Sequence, residues 1–181
     1  MRTKILLLTL VALTQLAYAQ KYIAKTGHIG FYSYTPMEVI EAHNRQVVSI
    51  LDASTGDILI SLLNKSFEFK VTLMQEHFNE NYMETTKFPK STFKGKITNL
   101  DKIDFKKDGS YPAEVTGDLT LHGVTKNTTY TGTIEIIGGI ITAKTKFKVV
   151  PKDFGIQIPQ LVENKFAKEM DITVDIPFVM N

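Results

Sequence analysis

The stretch from residue 114 to 126, EVTGDLTLHGVTK, brings together several side chains that could do chemistry. Asp118, Thr120 and His122 alternate along it, so they would share one face of an extended strand. An aspartate and a histidine with a distant serine form the triad of many hydrolases, in which His122 would act as the base. The sequence lacks the Gly-x-Ser-x-Gly motif that holds the serine in one such class. We therefore predict that His122 is solvated or hydrogen-bonded in a turn and that the protein is not an enzyme.

The histidines are also candidate metal ligands. They are His28, His43, His77 and His122. No two of them are spaced by two or four residues, and the sequence has no cysteine and no His-Glu-x-x-His motif, which removes the common zinc patterns. Gly117 and Gly123 have neither the spacing nor the strand-to-helix context of a phosphate-binding loop. We expect no metal and no cofactor.

Residues 1–19 have the features of a secretory signal peptide. Arg2 and Lys4 precede an apolar run that ends in an Ala-Tyr-Ala cleavage site. Cleavage would leave a single domain, residues 20–181, with 19 basic residues (21 minus Arg2 and Lys4) against 19 acidic ones. A neutral domain is not expected to bind nucleic acid. An exported chain without cysteines suits the bacterial envelope.

Alternating apolar residues predict β-strands along most of the remaining chain. The expected strands are 22–33, two around a tight turn at 53–57, 91–105, 114–121, 129–137, 140–149 and 171–178. Gly138 and Gly139 lie between two β-branched runs and predict a two-residue hairpin turn, because both can adopt positive φ without steric cost. The composition of Met37 to His43 is compatible with a helical turn.

The period of the apolar residues changes near residue 73. Leu73, Met74, His77 and Phe78 recur at helical spacing, which predicts one short helix. Such a helix would plug one end of a barrel or cover it as a lid, and a plug is favoured because apolar helical stripes are usually core. Residues 151–168 are less periodic and are expected to form a loop or short helix over an opening.

These patterns together predict an all-β fold with seven or eight strands and one short helix. Each strand has one apolar and one polar face, as in a single sheet curled around an interior. An eight-stranded barrel encloses space for its own side chains or for one small ligand. Since no charged row faces inward, an interior that is not filled would accept an apolar guest.

Two stretches of the sequence resemble the YceI-like family of secreted bacterial proteins. They are VTGDLTLHGVTK at 115–126 and YMETTKFPKSTFKG at 82–95, in the family's order and spacing, and a weaker likeness extends to DFGI at 153–156. The likeness covers most of the chain after residue 19. It implies an eight-stranded antiparallel, lipocalin-like barrel that binds a polyisoprenoid lipid.

The resemblance and the apolar interior together imply a carrier that holds a polyisoprenoid or similar long apolar chain, for storage or transport in the bacterial envelope. The side chains expected to line its cavity are Phe31, Phe69, Met74, Phe78, Phe93, Leu119, Leu121 and Phe147. The expected location is periplasmic or secreted, with transient membrane contact. Two alternatives remain open: a filled barrel that serves as an interaction or structural module of the envelope and, more weakly, a hydrolase of lipid esters.

Overall fold

The structure, a computed structural model, describes residues 20–180, so the predicted signal peptide lies outside the described residues. The strands are β1 Lys21–Tyr34, β2 Val39–Asp52, β3 Asp57–Leu63, β4 Glu68–Phe69, β5 Lys90–Ile97, β6 Gly109–Leu121, β7 Val124–Ile137, β8 Ile140–Val149 and β9 Met170–Met180. Helix α1, Thr72–His77, continues into a π-helical turn, Phe78–Tyr82. The 3-10 turns are Asn64–Ser66, Leu100–Lys102, Pro151–Phe154 and Gln160–Lys165. Between residues 20 and 180, no helix has the length and apolar character needed to cross a membrane.

The eight long strands form a closed antiparallel barrel. They follow one another around the barrel in chain order, and β9 closes the ring by pairing with β1. The two-residue strand β4 pairs with β2 beyond the end of β3, on the same edge of β2. This topology confirms the predicted eight-stranded antiparallel barrel with one short helix.

Two tight hairpin turns connect strands in the C-terminal half of the chain. Gly138 and Gly139 have φ values of 57° and 80°, which confirms the predicted two-residue turn between β7 and β8. His122 and Gly123 form a second such turn, with φ values of 48° and 75°, because Leu121 already pairs with Val124. His122 is therefore a non-glycine residue in the left-handed region, which is uncommon.

The helical turn that composition allows at Met37–His43 does not form, because β2 begins at Val39 and continues to Asp52. Ile40, Ala42 and Asn44 are buried at every second position and pair with β1, so the tertiary pairing overrides the local composition. The predicted strand 91–105 also ends early, at Ile97, where the chain turns into the 3-10 segment.

The two ends of the barrel differ. We call the end with the turns at 53–56 and 138–139 the lower end, and the end with the turns at 35–38 and 122–123 the upper end. The side chains that fill the lower end are almost fully buried and include Leu51, Ile136, Ile141, Ile176 and Phe178. Residues 64–89, which we call the lid segment, and residues 150–169 lie at the upper end. The barrel is thus packed at its lower end and covered by irregular segments at its upper end.

Candidate ligand cavity

An apolar cavity of about 520 Å³ occupies the barrel above its packed lower end. Its volume lies in the range of about 300–1,000 Å³ that is usual for small-molecule sites. Its wall includes all eight side chains that the sequence analysis singled out. They are Phe31, Phe69, Met74, Phe78, Phe93, Leu119, Leu121 and Phe147. The structure therefore brings these residues together around one space, and their contact with a ligand stays a prediction.

The helix in the lid segment covers the cavity and does not fill it. No residue of α1 is buried, whereas a plug would be buried on most of its apolar face. Met74 and Phe78 line the cavity from above, while Leu73 keeps 57% of its surface exposed. This geometry favours the lid over the plug that the apolar periodicity suggested.

A cluster of four phenylalanines anchors the lid segment to the barrel. Phe78 packs on Phe31 of β1 and on Phe67 and Phe69 at the start of the lid segment, with ring centroids 5.1–5.6 Å apart. Such spacings are those of favourable aromatic pairs. The cluster therefore forms an apolar wall of the cavity and holds the lid in place.

The mouth of the cavity lies at the upper end and is bordered by Glu38, Tyr82, Lys165 and Phe166. The rings of Tyr82 and Phe166 lie 5.2 Å apart, so the lid segment touches the segment after β8. The Lys165 Nζ and Glu38 Oε2 atoms are 4.0 Å apart across the same opening. Burial raises the pKa of the Tyr82 phenol, which therefore stays neutral at physiological pH. The mouth is closed by side-chain contacts that can open without breaking a strand pair.

A second aromatic group, Phe93, Tyr130 and Phe147, crosses the middle of the cavity. The Tyr130 ring lies 6.0 Å from Phe93 and 4.1 Å from Phe147. Burial raises the pKa of the Tyr130 phenol above its ordinary value, so this side chain also stays neutral. Tyr130 was not among the side chains expected to line the cavity, although it shares a strand face with Ile134 and Ile136, which point into the barrel.

Two glycines in the family-like stretches make room for this aromatic group. Gly95 on β5 pairs with Gly117 on β6, and a Cβ added at Gly117 would overlap the Cα of Gly95. The Phe93 ring lies where a side chain of Gly95 would stand, since a Cβ there would be 2.6 Å from it. Glycine inside a strand commonly marks such a close approach of two backbones.

His122 ties three segments of the upper end together. Its Nε2 lies 2.8 Å from Oε2 of Glu84 in the lid segment, and its Nδ1 lies 3.2 Å from the carbonyl oxygen of Phe154. The ring also packs against Phe88, at 4.3 Å between centroids. A carbonyl and a carboxylate only accept hydrogen bonds, so both bonds form when the ring carries two protons. His122 thus has a structural partner on each nitrogen, as the turn interpretation predicted.

Asp118 and Thr120, which share the strand face with His122, bond to other side chains and not to its ring. Asp118 accepts a hydrogen bond from the Asn127 side chain at 2.8 Å, and Thr120 bonds to Thr125 across the hairpin. Both pairs lie on the outer face of the β6–β7 hairpin. The alternation of Asp118, Thr120 and His122 therefore reflects the strand period and assembles no catalytic group.

Two histidines that are far apart in the sequence lie side by side. His28 Nε2 is 3.0 Å from His43 Nδ1 across the β1–β2 pair, and His43 Nε2 is 3.2 Å from Glu41 Oε1. Burial, followed by the positive charge of Arg45 and the neighbouring His43, lowers the pKa of His28. Within residues 20–180, no group of three or more histidine, aspartate or glutamate side chains has the geometry of a metal site.

Comparison with known proteins agrees with this architecture. The model of the YceI-like domain matches residues 24–178. No curated protein matches the sequence at a significant level. A polyisoprenoid-binding domain from Saccharophagus degradans, implicated in plant cell wall breakdown, has a similar structure, with a TM-score of 0.76 and 12% identity over 90% of this chain and 99% of that one.

Two further solved structures share the fold. BcnA of Burkholderia cenocepacia has a TM-score of 0.69 and 16% identity, covering 83% of this chain and 95% of its own. The YceI protein of Campylobacter jejuni has a TM-score of 0.55 and 14% identity, covering 98% of this chain and 89% of its own. With the family model matched along nearly the whole of the described barrel, this chain belongs to the YceI-like family.

Proposed function

We propose that the protein is a carrier that holds a polyisoprenoid or a similar long apolar chain inside its barrel, for storage or transport in the bacterial envelope. The observation that carries this proposal is the apolar cavity of about 520 Å³, walled by aromatic and aliphatic side chains and covered by a lid. Burial of a hydrocarbon chain there would contribute about 25 cal/mol per Å² of apolar surface before the costs of ordering. The polyisoprenoid-binding domain with the same fold supports this choice of ligand.

The alternative of a filled barrel depends on an interior without continuous space. The described barrel has such space above its lower end, so the carrier is the better-supported function. A carrier of this kind needs no catalytic step, and His122 serves as a structural tie in it.

Native mass spectrometry of the mature protein, purified from its own host, tests the carrier. We expect a bound isoprenoid or fatty chain, or its uptake when the protein is incubated with one. Val115→Trp, on the cavity wall, should lose most of the bound chain because the indole would fill the space. Lys96→Trp, on the exposed face of β5, is the matched control and should keep it. Wild-type protein that never carries or takes up an apolar chain would refute the carrier.

We further propose that the mouth makes transient contact with a membrane when the chain is loaded. Exposed apolar side chains surround it: Met37 is 61% exposed, Leu73 57% and Leu161 92%. A Leu73→Ser, Leu161→Ser variant should slow the transfer of a fluorescent fatty chain from vesicles. Ile137→Ser, which changes a 64% exposed side chain at the lower end, is the control and should leave transfer unchanged. Equal transfer rates in all three proteins would exclude contact through the mouth.

A periplasmic or secreted location is part of the same proposal and rests on the features of residues 1–19. Cell fractionation and the mass of the purified protein provide the test. The protein should appear outside the cytoplasm with its N-terminus near Gln20. A cytoplasmic protein with Met1 retained would contradict it.

A further inference from the structure

The barrel wall is incomplete between β7 and β8. β7 pairs with β6 from Val124 to Ile136, and β8 pairs with β9 from Ile141 to Val149, so both strands are long. The ladder between β7 and β8, however, extends only from the lower turn to the pair Gly132–Thr145. Above that pair the two strands have no ladder partner on their facing edges within the described chain. We call this gap the slot.

The slot has a defined foot. Thr145 Oγ1 donates a hydrogen bond to the Thr131 carbonyl at 2.6 Å, which satisfies a backbone group that the ladder would otherwise use. At Gly132 the strands approach so closely that an added Cβ would be 2.5 Å from the Lys144 carbonyl oxygen. The two backbones thus lie unusually close directly below the slot. The Thr145 hydroxyl takes the Thr131 carbonyl, and the ladder ends there.

The slot also has a defined top. Lys126 Nζ of β7 lies 3.0 Å from Asp153 Oδ2, and it lies 5.5 Å from the centre of the Phe154 ring. His122 contacts the Phe154 carbonyl beside them. These contacts bind the end of the β6–β7 hairpin to the turn that follows β8. The slot is therefore a bounded opening in the side of the barrel.

The cavity borders the lower end of this opening. Thr131, the first β7 residue above the last ladder pair, belongs to the outer face of its strand, yet it borders the cavity. Thr133 and Lys144, a ladder pair just below the slot, border it too. Across the slot the rings of Tyr130 and Phe147 pack at 4.1 Å. They form a shutter that can separate by side-chain rotation, without loss of a strand-to-strand hydrogen bond.

We propose that the slot is a lateral portal of the cavity, which takes the tail of an apolar chain too long for the barrel interior, and that Tyr130 and Phe147 are its shutter. This inference rests on the proposed carrier function and adds a second route to the mouth. The slot suits such a tail, since an aromatic pair lines its inner side and Thr131 borders its lower end. A chain longer than the interior would then lie in the cavity with its end at the β7–β8 seam.

Exchange kinetics of a polyene fatty acid, followed by stopped-flow fluorescence, test the shutter. Tyr130→Ala with Phe147→Ala should accelerate association and dissociation together, by about five- to tenfold, which is the loss expected for one aromatic pair. Phe31→Ala, in the cluster beneath the lid, is the matched control and should act mainly on dissociation. A double variant whose rates change only as those of the control do would overturn the shutter.

A pair of labels locates the tail without changing the shutter, so the test holds even if the double variant folds poorly. The native chain has no cysteine, so Lys146→Cys beside the slot and Lys94→Cys on β5, both exposed, can each carry one nitroxide. A long polyprenol with a fluorescent group at its tail should be quenched more strongly by the label at 146. Binding with equal quenching would overturn the portal and leave the carrier intact. Absence of any binding would overturn both.

Discussion

Asn64 is the residue whose loss should most clearly separate the lid segment from the barrel. It is fully buried, and its side chain makes one hydrogen bond to the far end of the lid segment and one to the start of β5. Its Nδ2 donates to the Phe88 carbonyl at 2.7 Å, and its Oδ1 accepts from the Ser91 hydroxyl at 2.6 Å. The Asn64 backbone N–H also donates to the Pro89 carbonyl. One amide thus joins the beginning of the segment to its end.

Asn64→Ala would remove both side-chain bonds and leave the half-buried Phe88 carbonyl and the buried Ser91 hydroxyl without their partner. Each such loss costs about 1–3 kcal/mol, so we expect the free energy of unfolding to fall by about 4 kcal/mol. For a domain of this size that corresponds to a decrease in Tm of about 8–16 °C. The loss is a large part of the about 5–15 kcal/mol that stabilises an ordinary domain.

Urea denaturation of the mature protein measures this change. Asn127→Ala is a matched control, since Asn127 is exposed and bonds only to the Asp118 side chain, and it should cost less than about 0.5 kcal/mol. Hydrogen exchange should show that residues 64–89 open before the barrel in the Asn64 variant. A loss below about 1 kcal/mol, or one equal to that of Asn127→Ala, would refute the reasoning.

Three further outcomes are expected. Gly117→Ala should cost about 3 kcal/mol or more in urea denaturation, because the new methyl group overlaps the backbone of Gly95; a neutral result would mean that the strands can separate there. The pKa of His28 is lowered in the folded state, so unfolding takes up protons below pH 6.5 and stability should fall as the pH decreases from there. In His28→Gln this dependence should flatten, and an unchanged slope would assign it to other groups. His122→Ala should lower the free energy of unfolding by about 2–3 kcal/mol, because Glu84 and a backbone carbonyl lose their partner; calorimetry checks this, and an unchanged Tm would contradict it.

Strand periodicity predicted most of the barrel because the apolar and polar faces alternate cleanly where side chains are large. The β7–β8 hairpin and β9 are examples, and the cavity wall followed from the same faces. The first half of β2 was not predicted as a strand, because its inward residues include Ala42 and Asn44. A small residue and a buried amide give no apolar signal, although the amide is satisfied by the Leu63 carbonyl.

Local sequence patterns did not predict the contacts between distant segments. The His28–His43 pair lies beside the irregular part of the β1–β2 ladder, between Ala24 and Ile29, and no local pattern indicates this contact. The Glu84–His122 bond likewise joins a lid loop to a hairpin turn. The slot was equally hidden, because β7 and β8 have ordinary strand patterns along the stretch where they do not pair.

The closing pair of the barrel decides how the protein can be attached to a support. Tyr22 of β1 lies opposite Met180 of β9, so the two ends of the described chain meet at the lower end. A tag or surface linker fused beyond either residue would therefore project from the packed base. On a sensor chip or a bead, every molecule would present its mouth and slot away from the support, and immobilised protein would remain free to exchange its ligand.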